Sequence, residues 1–330
     1  MKATVFPTID DVLAAQRRIS PVVRRTPLIE SERLSAVWGD KVYLKLENLQ
    51  LTGTFKARGA LNKILSLSDD EKRRGLIAFS TGNHGLATAY LGRSLSIPVV
   101  ICLSERVPAF RLEAMRALGA EVVAHGQSQD EAYLKALELI KDRGLTMVAP
   151  FDDFEVICGQ GTIALEIFEE LPKASVLAVP LSGGGLFSGV AMVAKSKNPA
   201  IKTLGVSMAV APAMIRSLQA GKPVEIPEAD SLADALLGGI GLDNRYTFRM
   251  TKAHLDGFVE VTEAEIARAM AGALLFDKQV VEGSGAVGLA ALEAGKITGP
   301  GPLVIVISGG NARMDNLLNL AREYNQTHGS

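Results

Sequence analysis

A chain of 330 residues is long for one ordinary core and leaves room for one large or two moderate folded units. With 48% apolar residues and a formal net charge of −1 it is globular in composition, and nothing in its charge calls for nucleic acid or an anionic membrane as partner. Two cysteines (Cys102 and Cys158), four scattered histidines and no apolar stretch of spanning length exclude a disulfide framework, a zinc-type spacing and a membrane-spanning helix, and the N-terminus lacks an apolar signal core, so a cytoplasmic protein is expected.

In chain order, a strand is predicted at 42–46, followed by a polar Gly/Thr-rich segment that contains Lys56. Strands are then predicted at 76–79, 98–103, 121–124 and 146–149, with helix-length stretches between them. Ser128 with Glu131 forms a capping box, and the helix it opens should end before Gly144. A second series follows at 176–181, 202–207, 257–261 and 303–307. The strands are continuous apolar runs, as sheets buried on both faces require, and their alternation with helices predicts α/β architecture with two open parallel-sheet lobes around a cleft. The smaller lobe is placed at 69–152, and 1–68 joins 153–330 in the larger. The polar tail after Glu323 is expected to fray.

Ligands of open parallel sheets sit where strands turn into helices. Four Gly- and hydroxyl-rich segments are read as such turns: 80–85 (Ser-Thr-Gly-Asn-His-Gly), 159–162 (Gly-Gln-Gly-Thr), 182–186 (Ser-Gly-Gly-Gly-Leu) and 308–311 (Ser-Gly-Gly-Asn). Three consecutive glycines, Gly183, Gly184 and Gly185, let several backbone N–H groups converge on one anion. A dinucleotide fingerprint fails here. Position 188 is serine where glycine or alanine is needed, and the following strand ends in Val206-Ser207-Met208 with no acidic ribose partner. A phosphate cup fits better than a nicotinamide cofactor, although triple glycine taken alone would favour an ordinary flexible strand-to-helix turn. Most lysines are solvated surface charges, but one beside a phosphate cup is placed to form a Schiff base with a carbonyl cofactor, which singles out Lys56. Asn83, Ser80 and Thr81 at another strand end could orient a carboxylate or a phenolic oxygen, or could simply cap a helix.

Seven segments in one order carry a resemblance: 24–27 (Arg-Arg-Thr-Pro), 44–48 (Leu-Lys-Leu-Glu-Asn), 54–59 (Thr-Phe-Lys-Ala-Arg-Gly), 80–85, 159–162, 182–186 and 308–311. Together they resemble the fold-type-II pyridoxal-phosphate family, the tryptophan-synthase-β-like fold that includes serine and threonine dehydratases and serine racemases. Within it, 150–153, 205–208 and 231–244 are most similar to hydroxyectoine-utilization dehydratases. The resemblance implies pyridoxal 5′-phosphate as cofactor, with Lys56 joined to it as a Schiff base and Phe55 packed on its ring. It implies Asn83 at the phenolic oxygen, Gly183, Gly184, Gly185 and Leu186 at the phosphate, and Ser308 at the pyridine nitrogen. Ser80, Thr81, Gly82 and His84 would receive the substrate carboxylate, with Lys56 as the base and Thr81 as a second-face hydroxyl. An amino-acid substrate and a homodimer are implied as well.

A neutral serine at the pyridine nitrogen makes the ring a weak electron sink, which suits elimination of water and ammonia to a 2-oxo acid. Three positions depart from the family pattern. Thr81 stands between the serine of racemases and the alanine of plain dehydratases. Ser207, Ala211 and Ala213 replace the acidic ligands of the family's cation site, so no metal is expected. Ala233-Asp234-Ala235 stands where Ala-Asp-Gly is common, which reshapes the pocket beside the ring. The alternatives are an L-threonine or L-serine dehydratase, a serine racemase or a 3-hydroxyaspartate ammonia-lyase on the same scaffold, and, in another class, a non-catalytic amino-acid-binding protein.

Overall fold

The computed structural model describes residues 4–80, 82–107, 109–227 and 229–328. Its strands are β1 (Leu28–Glu30), β2 (Val42–Leu46), β3 (Leu76–Phe79), β4 (Val99–Leu103), β5 (Glu121–Ala124), β6 (Thr146–Met147), β7 (Val176–Pro180), β8 (Lys202–Met208), β9 (Gly257–Val261) and β10 (Leu303–Ile307). They form a six-stranded sheet in the order β1-β2-β10-β7-β8-β9 and a four-stranded sheet in the order β5-β4-β3-β6. Every pairing is parallel except β1 with β2, where Leu28–Glu30 runs back along Tyr43–Lys45 as an antiparallel edge. That three-residue edge strand was not expected from the sequence; it is too short to show a period.

The continuous apolar runs are explained by burial on both faces. Along β7, Val176 and Ala178 face one core while Leu177 and Val179 face another. β10 divides the same way, with Leu303, Ile305 and Ile307 on one side and Val304 and Val306 on the other. In the smaller sheet Leu76, Ala78, Val99 and Ile101 join one core, and Ile77, Val100 and Cys102 join the opposite one. Alternation of side chains across a strand therefore leaves no polar face to read.

Two expectations are corrected. Gly159, Gln160, Gly161 and Thr162 do not form a strand-end turn; they lie inside the buried helix Phe154–Glu170. Their glycines are sites of backbone contact. A Cβ on Gly159 would stand 2.6 Å from the Arg58 carbonyl oxygen, and one on Gly161 3.1 Å from that of Gly189, so three helices close on one another here. Nor does the tail fray after Glu323, because the helix Met314–His328 continues through it. The capping box of Ser128 and Glu131 and the left-handed Gly144 bound the helix Gln129–Arg143 as predicted.

Candidate active site

Strands β2, β10 and β7 lie side by side, so the loops that leave their carboxyl ends meet above the centre of the larger sheet. After β2 the chain passes through two short 3-10 turns, Glu47–Leu49 and Leu51–Gly53, and reaches Lys56 at the start of the helix Lys56–Ser66. This approach is stitched to the loop after β10. Thr54 and Gly309 form an antiparallel bridge, Phe55 N–H donates to the Ser308 carbonyl, and Gly310 N–H donates to that of Gly53. The glycines after β7 and the residues after β3 face the same opening. The result is a cleft of about 1250 Å³.

Phe55, Lys56, Ser80, Gly82, Asn83, His84, Gly183, Gly184, Gly185, Leu186 and Ser308 all line that cleft. The structure thus brings together every expected site residue except Thr81, which lies outside the described residues. Lys56 Nζ donates to the Pro150 carbonyl oxygen at 2.7 Å and stands 5.2 Å from the centroid of the Phe55 ring. Burial lowers its pKa to about 8, with Glu282 partly opposing the shift. The amine is therefore available in its neutral, nucleophilic form close to physiological pH.

The glycine loop is shaped for close approach. Gly184 takes a left-handed φ of +87° as the residue before the helix Gly185–Lys197, and no side chain caps that helix. A Cβ on Gly183 would lie 2.4 Å from the Phe151 ring, and one on Gly185 2.9 Å from the Phe151 backbone. Bare backbone at a helix N-terminus, walled by an aromatic ring, is a cradle for an anion of phosphate size. Phe151 is itself held by its neighbours. Asp152 accepts from the backbone N–H groups of Arg245, Tyr246 and Thr247, while Asp153 caps the helix Phe154–Glu170 and pairs with Lys63.

On the opposite wall His84 is buried, and its Nε2 lies 2.7 Å from the Val148 carbonyl oxygen. A carbonyl can only accept, so Nε2 carries the proton. Burial first and Lys56 second lower the His84 pKa to about 3, against that bond, and the ring is neutral at working pH. Ser80 Oγ accepts from Gly82 N–H, and Ser308 Oγ donates to the Ser284 carbonyl. Ser284 Oγ in turn accepts from Ala235 N–H, which ties the Ala-Asp-Ala segment to the end of β10.

Several cleft residues were not identified from the sequence. Glu282 is buried and accepts from Asn83 Nδ2 at 2.7 Å; the available signal was an acidic residue between Val281 and the Gly283-Ser284-Gly285 start of an apolar helix. Arg111 pairs with Asp234 at 2.7 Å, and the Arg111 and Arg313 guanidiniums stand 5.9 and 5.7 Å from the Phe110 ring, linking the two sheets' loops over the mouth. Behind Lys56, Arg58 is fully buried between Glu47 (2.8 Å) and Glu166 (2.6 Å), and Lys45 also pairs with Glu166. No sequence spacing announces that network, whose members meet where the helices Lys56–Ser66 and Phe154–Glu170 pack on each other beside the end of β2.

A family model described as pyridoxal-phosphate dependent enzyme matches residues 19–309. The chain is 44% identical over 308 residues to a putative threonine dehydratase of Sinorhizobium fredii, covering 93% of each chain. It is 43% identical over 316 residues to an L-threonine ammonia-lyase of Thermotoga maritima, covering 94% of this chain and 78% of that one. Among solved structures, maize serine racemase superposes with a TM-score of 0.90 at 32% identity, covering 99% of this chain and 100% of the other.

Proposed function

The chain belongs to the pyridoxal-phosphate-dependent enzymes, and from that membership we propose that it is an ammonia-lyase removing water and ammonia from a small hydroxy-amino acid. One observation carries the reading: a desolvated lysine amine, free of any carboxylate bond among the described residues, opens on the same cleft as a bare-backbone anion cradle. The residues fit the cofactor. Lys56 would anchor it, Gly183, Gly184, Gly185 and Leu186 would hold its phosphate, and Phe55, Asn83 and Ser308 would meet its ring.

When bound, the cofactor supplies an electron-withdrawing ring that acidifies the α-carbon of an amino acid joined to it. Lys56 Nζ, poised about pH 8, takes the Cα proton. Ser80 and the backbone N–H groups of Gly82 and His84 would receive the substrate carboxylate, while the neutral His84 ring, its one N–H given to Val148, adds no titrating charge at working pH. Ser308 brings no charge to its end of the site, so negative charge is weakly held there. A substrate that expels its hydroxyl as the proton leaves suits such a site. Arg111 with Asp234, and Phe110 with Arg313, limit water at the mouth. We assign the closing motion to residues 69–152, moving against 1–68 and 153–330. A cytoplasmic homodimer completes the proposal and is tested by sedimentation of the purified protein.

The finer reading is that the reaction belongs to hydroxyectoine breakdown. It is supported by 150–153, which underlies the glycine cradle, and by 231–244, which walls the cleft with Ala235. A second reading, L-threonine or L-serine dehydration, is favoured by the names and 43–44% identity of the relatives. Both are tested by following ammonia and 2-oxo acid release from serine, threonine, the 3-hydroxyaspartates and hydroxyectoine intermediates, with Lys56→Ala as control. Lys56-dependent release is expected and names the substrate. An inverted amino acid without ammonia would instead make the enzyme a racemase, and tight amino-acid binding by a colourless, inactive protein would overturn catalysis altogether.

A further inference from the structure

Glu282 occupies the N-cap position of the helix Gly283–Glu293, yet its side chain makes no cap bond. It is only 7% exposed and turns to the cleft. There it closes a ring of three residues. Asn83 Nδ2 donates to Glu282 Oε1 at 2.7 Å, Asn311 Nδ2 donates to Asn83 Oδ1 at 2.8 Å, and the Asn311 backbone N–H faces the Glu282 carboxylate and favours its charged form. Asn311 Nδ2 also donates to the Thr52 carbonyl at 2.9 Å, in the approach to Lys56. The ring joins the first turn of the helix Asn83–Ser94, which follows β3, to two loops of the larger sheet.

This geometry decides which way the Asn83 amide points. With the amide turned over, Asn83 Oδ1 would face the Glu282 carboxylate, acceptor against acceptor. Its Nδ2 would face Asn311 Nδ2, donor against donor. Both contacts forbid the flip, and one N–H of Asn83 Nδ2 is left over. We propose that Glu282 is a positioning residue of the reaction: it holds the Asn83 amide in the single orientation that presents an Nδ2 N–H to the cofactor pocket. This rests on the reading of Asn83 as a ring contact.

The carboxylate form is needed for the ring, and its surroundings make it sensitive to pH. Burial foremost, and then Asp234, push the Glu282 pKa up to about 7, while Asn83, the Asn311 N–H and Arg111 oppose them. Lys56 faces it from the adjoining helix and is itself held up by it. Falling pH should therefore protonate Glu282, weaken its hold on Asn83 and loosen the amide near neutrality. A glutamine cannot titrate, and it replaces one acceptor oxygen by a donor where two N–H groups converge.

The test uses holoenzyme: wild type, Glu282→Gln, Asn83→Ala, the double variant and Asn311→Ala. The readouts are the visible absorption of the bound cofactor across about pH 5 to 9, kcat and KM, and the melting temperature. Glu282→Gln should keep the wild-type melting temperature but lose the absorption change near neutrality. Its spectrum should move as that of Asn83→Ala does, with kcat down by about tenfold and KM little changed. The double variant should add nothing to Asn83→Ala, and Asn311→Ala should show the same spectral displacement from the other side of the ring. If Asn83→Ala moves the spectrum while Glu282→Gln and Asn311→Ala overlay wild type, the positioning role is overturned and the site stands. If Asn83→Ala itself leaves the spectrum unchanged, the assignment of Asn83 falls and this inference with it. Should Glu282→Gln not fold, Asn311→Ala decides alone.

Discussion

Lys56 Nζ donates to the Pro150 carbonyl oxygen at 2.7 Å, across the gap between the start of one helix and the segment that leads into another. A backbone carbonyl satisfies the amine without the charge that would keep it protonated. Burial then prevails over the distant attraction of Glu282 and brings the pKa to about 8. Tight holding and easy deprotonation are thus reconciled in one contact.

For cofactor loading, this sets a direction with pH. The neutral amine is the nucleophile, so attachment of pyridoxal phosphate to cofactor-free protein should accelerate as pH rises through about 8 and level off above it. Stopped-flow absorbance on the apoprotein measures the rate. An inflection near the ordinary lysine value would contradict the burial argument. Lys56→Ala should show no borohydride-reducible attachment and no turnover.

Gly183→Ala and Gly159→Ala should fail differently. The Gly183 Cβ would strike the Phe151 ring beneath the cradle, so cofactor affinity should fall by at least about tenfold with the fold retained. The Gly159 Cβ would strike the backbone of Arg58 and Gly59, where nothing can rotate away. That variant should lose about 1–3 kcal/mol of stability. Reconstitution titrations and denaturant melts, run on both, distinguish the two outcomes.

Arg58 holds two buried carboxylates, Glu47 and Glu166, and its own side chain is fully buried. Burial works against its charge, but the two carboxylates outweigh that and raise its pKa. Replacement by methionine would leave Glu47 uncompensated and Glu166 with Lys45 alone, and a loss of about 3–5 kcal/mol is expected from urea unfolding. Arg58→Lys should recover only part of it, because one ammonium cannot reproduce the forked contacts to both partners.

The Arg111–Asp234 pair is partly exposed, with side chains 33% and 47% accessible, so its stability contribution is small. Its place over the cleft mouth gives it a functional consequence instead. Arg111→Met should leave the melting temperature within about 2 °C of wild type while raising KM several-fold. A change in the melt with unaltered KM would remove the pair from the closing motion.

Much of this was legible in the chain. The buried runs at 76–79 and 303–307 match their strands because a parallel sheet covered on both faces demands unbroken apolar sequence, while 121–124 and 257–261 match as partly exposed edge strands whose β-branched residues carry the signal despite Glu121 and Glu260. Gly183-Gly184-Gly185, expected at a strand-to-helix turn, do lie at the start of the helix Gly185–Lys197 and line the cleft, since three adjacent glycines have few uses other than backbone exposure or close approach. The same reasoning misled at 159–162. There the glycines admit neighbouring helices and not a ligand, and composition alone cannot say what approaches a missing Cβ.

The sequence by itself determined the strand and helix segments, the Lys56 candidate and the family, because these depend on local periodicity and on short motifs in a set order. Only the tertiary structure decided which polar groups meet. Asn83, Glu282 and Asn311 are separated by about 200 residues of chain in the longest interval, and Arg58 finds Glu166 across 108 positions. Such contacts are set by the order β2-β10-β7 in one sheet and by the apposition of a second sheet, neither of which leaves a pattern in local sequence. The pKa values of Lys56, His84 and Glu282 follow from that burial, so the chemistry of the cleft belongs to the fold and not to the residues taken singly.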